Sequence, residues 1–142
     1  MRKVLVLNGP NLDKLGTREP GIYGATTLAD IESACKQFGA EHSLDIDFRQ
    51  SNDEAQLITW LHEAAADDLP IVFNPAAFTH YSVAIRDAAA MCSGPIIEVH
   101  LSNPIAREEF RHTSLISGIA KGTISGFGAN SYLLGLRALL DI

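Results

Sequence analysis

The alternation of apolar strand-like runs with amphipathic helix-like runs constrains this chain most, because it continues along nearly all of its 142 residues. The strand-like runs lie at 4–7, 44–48, 70–73, 96–101 and 119–125. Helix-like patterns lie between or after them, at 27–39, 51–65, 79–91 and 129–140. Parallel strands need such crossover helices, which cover both faces of the sheet. The pattern therefore predicts an α/β fold, a flavodoxin-like doubly wound five-stranded parallel sheet in three α/β/α layers.

Composition and charge narrow the class of protein. Hydrophobic residues make up 46% of the chain and charged residues 20%, which favours a single globular domain over 1–142. The formal net charge of −6 argues against nucleic acid or an anionic membrane as partner. The first apolar run, 4–7, is too short for a signal peptide or a membrane span. Together with two cysteines that lack C-x-x-C spacing, this predicts a cytoplasmic protein with reduced thiols.

Local signals set the expected ends of several elements. Thr27 with Asp30, and Ser51 with Glu54, predict capping boxes at the starts of two helices. The sequence at 103–104, Asn then Pro, predicts a helix N-cap with proline at the first helical position. The alternating polarity of 44–49 predicts a half-buried edge strand.

The fourth strand-like run becomes polar as it ends, with Glu98, His100 and Ser102 at alternate positions. Alternate residues of a strand share one face, and the carboxyl ends of parallel strands are where α/β sheets bind ligands. Histidine is the side chain most easily tuned for proton transfer near neutral pH. The alternative is a buried histidine satisfied by a neighbouring glutamate.

Polar side chains also follow the other strands. Asn8 and Asn11 follow the first strand, and Asn74 and His80 follow the third. Arg107 and Arg111 come shortly after the fourth. Asp87 is predicted two turns beyond His80 on the same helix face. We find no G-x-S-x-G elbow, no phosphate loop and no metal-ligand spacing. These patterns favour acid–base chemistry on a polar, anionic small molecule.

The connection at 8–25 is much longer than the ~2–6 residues that a βα loop normally needs. It contains four glycines and two prolines, and it also carries Arg18 and Tyr23. Long loops of this kind usually close over ligands or bind them. The segment is therefore predicted to be a lid.

Several ordered motifs resemble those of type II 3-dehydroquinate dehydratase, and the resemblance spans nearly the whole chain. They are N-G-P-N-L-D-K-L-G-T-R-E-P-G-I-Y-G at 8–24, Q-S-N at 50–52, N-P-A-A-F-T-H at 74–80, I-E-V-H-L-S-N at 97–103 and R-E-E-F-R-H at 107–112. One departure is Ala76, which stands where glycine is usual in that family. If this position requires a positive φ, alanine is disfavoured there.

The resemblance implies a lyase that converts 3-dehydroquinate to 3-dehydroshikimate plus water by anti elimination through an enolate. It implies a place in the shikimate pathway of aromatic amino acid biosynthesis, or in quinate catabolism. It also implies that no metal, flavin or nicotinamide cofactor takes part, and that the protein is a homododecamer, a tetramer of trimers. The alternatives are a non-catalytic flavodoxin-like binding module and a metal-dependent hydrolase.

The resemblance also implies a role for individual residues. Tyr23 corresponds to the base, and Arg18 supplies positive charge that favours its tyrosinate. His100 corresponds to the general acid, with Glu98 orienting it, and Asn11 holds the water that stabilises the enolate. The substrate-binding positions implied are Asn74, His80, Asp87, Leu101, Ser102 and Arg111, with Asp87 reaching in from an adjacent subunit.

Overall fold

The computed structural model describes residues 1–17, 21 and 25–142. Arg18 and Tyr23 lie outside the described residues, as does part of the segment predicted to be a lid.

Five parallel strands form one sheet in the order β2-β1-β3-β4-β5. The strands are β1 Arg2–Asn8, β2 Leu44–Gln50, β3 Ile71–Asn74, β4 Ile96–His100 and β5 Gly122–Ser125. This arrangement confirms the predicted doubly wound fold, and β2 is an edge strand as its alternating polarity predicted. β5 begins at Gly122 rather than at 119, because Ile119 donates its N–H to Ile116 in a turn.

Helices flank the sheet and carry the caps that fix their first residues. Within the described residues they are α1 Leu28–Glu41, α2 Glu54–Ala66, α3 Val83–Ala90 and α4 Asn130–Leu140. The Thr27–Asp30 capping box is confirmed. The Ser51–Glu54 box is wrong, because Asp53 caps α2 by accepting from Ala55 N–H, and Ser51 accepts from Asp53 N–H instead.

Two predicted helices differ from those in the structure. α3 begins at Val83 rather than at 79, because Ser82 caps it and a 3₁₀ turn, Ala76–His80, precedes it. His80 and Asp87 therefore do not share one helix face. Asn103 does cap a turn with proline first, but that turn is only the 3₁₀ segment Pro104–Ala106.

Apolar side chains cover both faces of the sheet, so the core has two halves. On β1, Val4 and Val6 pack in one half with α1 and α4, whereas Leu5 and Leu7 pack in the other with α2 and α3. Strands buried on both faces read as continuous apolar runs, which is the pattern of 4–7. No helix within the described part of the chain is long and apolar enough to cross a membrane.

Candidate active site

The functional side chains gather at the carboxyl edge of the sheet, where three neighbouring strands end. Asn8 ends β1, Asn74 ends β3 and His100 ends β4, and each of these residues is less than one-tenth exposed. Asn8 and Asn74 are register partners across the β1–β3 pair. The order of the strands thus brings together motifs that lie far apart in the sequence.

A cavity opens above these strand ends. It is lined by Pro10, Asn11, Leu12, Asn74, Ala76, Ala77, His80, His100, Leu101, Ser102, Pro104, Arg107 and Arg111. Most of the residues that the resemblance implied for the site are therefore found together around one space. Glu98 lies behind His100 and lines an adjoining cavity with Ser114 and Ser117.

The N-G-P-N loop after β1 is held by the end of β2 and the end of β3. Gly9 N–H donates to the Asn74 carbonyl oxygen at 2.8 Å, and Gln50 Nε2 donates to the Gly9 carbonyl oxygen at 3.1 Å. Asn52 Oδ1 accepts from Asn11 N–H at 2.9 Å and from Gln50 Nε2 at 3.1 Å. The Q-S-N motif is therefore explained: it fixes the backbone that presents Asn11 to the cavity.

Gly9 is required where this loop meets the next one. A Cβ atom built at Gly9 would lie 2.3 Å from the Pro75 carbonyl oxygen. We expect Gly9→Ala to lower the free energy of unfolding by about 2–3 kcal/mol, because backbone on both sides must separate. Urea denaturation measures this loss, and Gly118→Ala, where a Cβ meets nothing within 4 Å, is the matched control. Equal stability of the two variants would contradict the close approach.

His100 and Glu98 form a buried pair, which confirms the predicted shared face. His100 Nε2 lies 2.6 Å from Glu98 Oε2, and Glu98 is completely buried. The same carboxylate accepts hydrogen bonds from Thr79 Oγ1 and Ser117 Oγ, each at 2.6 Å, and from Ser114 Oγ at 2.9 Å. Five side chains thus make one compact polar cluster inside the fold.

Glu98 is ionised in this cluster. Burial raises the pKa of the Glu98 carboxyl, but the hydrogen bond and charge of His100, together with the hydroxyl donors, hold it at about 2. A charged carboxylate on Nε2 orients the imidazole ring and leaves Nδ1 as the nitrogen that exchanges a proton with a ligand. The pair can therefore act as an oriented general acid or base.

The three hydroxyl donors were not predicted from the sequence. Thr79 lies in the 3₁₀ turn after β3, and Ser114 and Ser117 lie in the segment before β5. Serine and threonine are common in turns, so their types carried no signal for this role. Only the fold brings them to one carboxylate.

Two arginines, Arg107 and Arg111, make one wall of the cavity cationic. Arg107 donates from Nη1 to Ser102 Oγ at 3.3 Å, and Arg111 donates from Nε to Glu108 at 3.0 Å. His80 Nδ1 lies 2.8 Å from the Thr113 carbonyl oxygen. None of the described residues that line the first cavity is acidic. This side of the site is thus suited to an anionic ligand.

Ala76 occupies the position where the family resemblance led us to expect glycine, and its φ is +55°. This left-handed conformation costs a residue with a Cβ atom about 1–2 kcal/mol. Asn74 Oδ1 accepts from Ala76 N–H at 3.0 Å, which closes the turn locally and offsets part of that cost. The turn thus keeps its shape with alanine in place.

Asp87 does not lie at this cavity. It is exposed on α3, where Arg86 contacts it at 3.1 Å. Among the described residues, no group of three or more His, Cys, Asp or Glu side chains is placed to hold a metal ion.

Comparison with known proteins identifies the family. Residues 2–140 match the family model described as Dehydroquinase class II. The 3-dehydroquinate dehydratase of Brucella canis (strain ATCC 23365 / NCTC 10854 / RM-666) is 56% identical over 141 residues, which cover 99% of this chain and 90% of the relative. That of Rhizobium etli (strain CIAT 652) is 55% identical over 139 residues, covering 98% and 96%.

A solved structure agrees with the sequence relatives. The crystal structure of type II dehydroquinase from Propionibacterium acnes matches with a TM-score of 0.98 at 48% identity, covering 100% of this chain and 98% of that one. The match includes the whole described sheet and the strand ends that form the cavity. By sequence and by structure, this chain belongs to the class II dehydroquinase family.

Proposed function

We propose that this protein is a 3-dehydroquinate dehydratase, which eliminates water from 3-dehydroquinate to give 3-dehydroshikimate. The observation that carries the proposal is the buried Glu98–His100 pair, which faces a cavity with a cationic wall in a chain of this family. The substrate is a carboxylate, so its charge suits that wall. The comparisons give no support to the alternative of a non-catalytic binding module.

The first step is removal of a proton from the carbon beside the ketone. We assign the base to Tyr23 as its phenolate, and Arg18 to the stabilisation of that phenolate. A phenol has an ordinary pKa of ~10, so nearby positive charge is needed to favour its ionised form at neutral pH. The C–H electron pair becomes a carbon–carbon π bond while the carbonyl π pair moves onto the oxygen, which gives an enolate. Asn11 holds the water that donates to the enolate oxygen.

The second step is loss of the hydroxyl group. The enolate oxygen re-forms the carbonyl, and the enolate π pair shifts to form the new carbon–carbon double bond as the C–O bond breaks. His100 gives a proton to the departing oxygen. One water molecule leaves, Tyr23 is then neutral, and His100 has lost its proton. Transfer of one proton from Tyr23 to His100 through solvent restores the starting state, so protons and electrons balance.

The remaining site residues bind the substrate in this proposal. Arg111 is assigned to the cationic wall, His80 to the cavity lining beside it, and Asn74, with the backbone of Leu101 and Ser102, to the strand ends. Each of these residues lines the cavity.

Asp87 is assigned to the site of an adjacent subunit in a homododecamer, a tetramer of trimers. Its exposure on α3, away from its own cavity, supports this assignment. A cytoplasmic location is also proposed. It is supported by free Cys35 and Cys92, which suit a reducing compartment.

A direct assay tests the proposal. Purified protein that has been dialysed against a chelator and mixed with 3-dehydroquinate is expected to develop the ultraviolet absorbance of a conjugated enone. No metal, flavin or nicotinamide should be needed, because the proposed chemistry uses only side chains and water. An absence of absorbance change from neutral to alkaline pH, with the protein folded, would refute the assignment. A requirement for added metal would instead favour a metal-dependent hydrolase.

A further inference from the structure

A buried chain of three side chains joins the ends of β1 and β3 to α4. Asn74 Nδ2 donates to the Tyr132 hydroxyl at 2.9 Å, and that hydroxyl donates to Asn8 Oδ1 at 2.6 Å. Asn8 Nδ2 donates in turn to the Arg49 carbonyl oxygen at 2.9 Å. Asn8 and Tyr132 are completely buried and Asn74 is 2% exposed, so these groups depend on one another for their hydrogen bonds.

The direction of every hydrogen bond among Asn74, Tyr132 and Asn8 is fixed by the groups at the two ends of this series. At one end Ala76 N–H can only donate, so the Asn74 atom that accepts from it is Oδ1. At the other end the Arg49 carbonyl oxygen can only accept, so the Asn8 atom that faces it is Nδ2. The Tyr132 hydroxyl must therefore accept from Asn74 and donate to Asn8, and neither amide can flip.

The Tyr132 hydroxyl can keep this role at any pH in which the protein is assayed. Burial raises the pKa of the Tyr132 phenol well above its ordinary value. The hydroxyl therefore stays protonated and remains a donor to Asn8. The residue is not among those that line the cavity, so it can act on a ligand only through its neighbours.

We infer that Tyr132 is a positioning residue, whose hydroxyl orients the Asn74 amide so that its second N–H is a donor to an oxygen of the substrate. The inference rests on the proposed function, because it concerns how that substrate is recognised. One Asn74 N–H is committed to Tyr132 and Oδ1 is committed to Ala76. The remaining N–H is the group that Asn74, which lines the cavity, can offer to a ligand. The substrate group that this N–H would bind is an acceptor, a hydroxyl or carboxylate oxygen.

Replacement of Tyr132 by phenylalanine tests this inference, because it removes only the hydroxyl. Without it, the Asn74 amide keeps only the hydrogen bond from Ala76 N–H to Oδ1, so its Nδ2 group is no longer held in place. KM for 3-dehydroquinate is expected to rise about tenfold, the loss expected for one hydrogen bond. kcat is expected to stay within about twofold, since the contact is made equally in ground and transition states. Tyr81→Phe is the matched control, because Tyr81 is exposed and should change neither constant.

A double variant separates positioning from simple support of the fold. If Tyr132 acts through Asn74, then Asn74→Ala with Tyr132→Phe should have the same KM as Asn74→Ala alone. If the two substitutions instead raise KM by factors that multiply in the double variant, the inference would be overturned. A Tyr132→Phe protein with a lower Tm but unchanged KM would also overturn it, because that result would assign Tyr132 to stability only.

A second variant tests the donor if Tyr132→Phe does not fold. Asn74→Asp keeps the shape and can still accept from Ala76 N–H, but it has no N–H to offer. Its KM should rise at least as much as that of Asn74→Ala, and a KM equal to wild type would overturn the assignment. The wild-type protein in the same assay distinguishes the two failures. An active wild type with these contrary results refutes only the positioning role, whereas an inactive wild type refutes the proposed function and this inference with it.

Discussion

His100→Ala is expected to lower kcat for 3-dehydroquinate by ~10²–10⁴-fold, the usual contribution of a positioned general acid. In the proposed reaction the departing hydroxyl takes its proton from His100. Without that proton, the group that departs must be hydroxide, which is a much poorer leaving group than water. KM should change far less, because the imidazole acts on a bond that breaks only in the transition state. The rate of enone absorbance at saturating substrate measures the loss.

The variant must be compared with one that removes a histidine elsewhere. His62 is exposed on α2, so His62→Ala should retain the wild-type kcat. Circular dichroism must show that His100→Ala is folded, since it leaves Glu98 buried without its imidazole partner. A folded His100→Ala protein with kcat within a fewfold of wild type would mean that another group protonates the leaving hydroxyl.

The assignment of the acid also depends on Glu98 remaining charged. Its pKa of about 2 lies below the ordinary value of 4.5, so the carboxylate is ionised in any neutral assay. The ionised carboxylate stabilises the fold at pH values above its ordinary pKa of 4.5, and this contribution is lost as the pH falls from 4.5 towards 2. Glu98 therefore orients His100 throughout the neutral range without titrating there.

Sequence patterns predicted the fold well because periodicity reports burial directly. Continuous apolar runs correspond to strands buried on both faces, and the alternation at 44–49 corresponds to the edge strand β2. The ends of the elements were harder to predict because neighbouring polar residues compete to cap a helix. Asp53 caps α2 where Ser51 was expected, and Ser82 delays the start of α3.

The sequence predicted contacts in the site only between residues that lie close together along the chain. The i, i+2 spacing of Glu98 and His100 within one strand predicted their contact, which the structure confirms. The groups that support Asn74 were not predictable, since Tyr132 lies 58 residues further along the chain. A tyrosine within a helix-like pattern also indicated nothing beyond a core position. Contacts of this kind depend on strand order and helix packing, which periodicity does not encode.

Arg18→Ala is expected to lower kcat by ~10²–10³-fold, as removal of a charge-stabilising donor commonly does. In the proposed mechanism Arg18 stabilises Tyr23 as a phenolate, so its loss removes the active form of the base. KM should change little, because the negative charge that Arg18 stabilises lies on Tyr23 and not on the substrate. Arg18→Lys should restore part of the rate, since an ammonium keeps the charge but loses the planar fork. Arg137→Ala, on α4, is the control for loss of an arginine.

Whether Arg18 acts through Tyr23 is decided by combining two variants. Tyr23→Phe alone should lower kcat by ~10²–10⁴-fold, because it keeps the ring and removes the base, and Tyr81→Phe controls for loss of a phenol. With no phenolate left to stabilise, Arg18→Ala in the Tyr23→Phe background should cost at most a fewfold more in kcat. Two losses that multiply would mean that Arg18 acts on the substrate or enolate independently of Tyr23. A Tyr23→Phe protein with nearly wild-type turnover would place the base elsewhere.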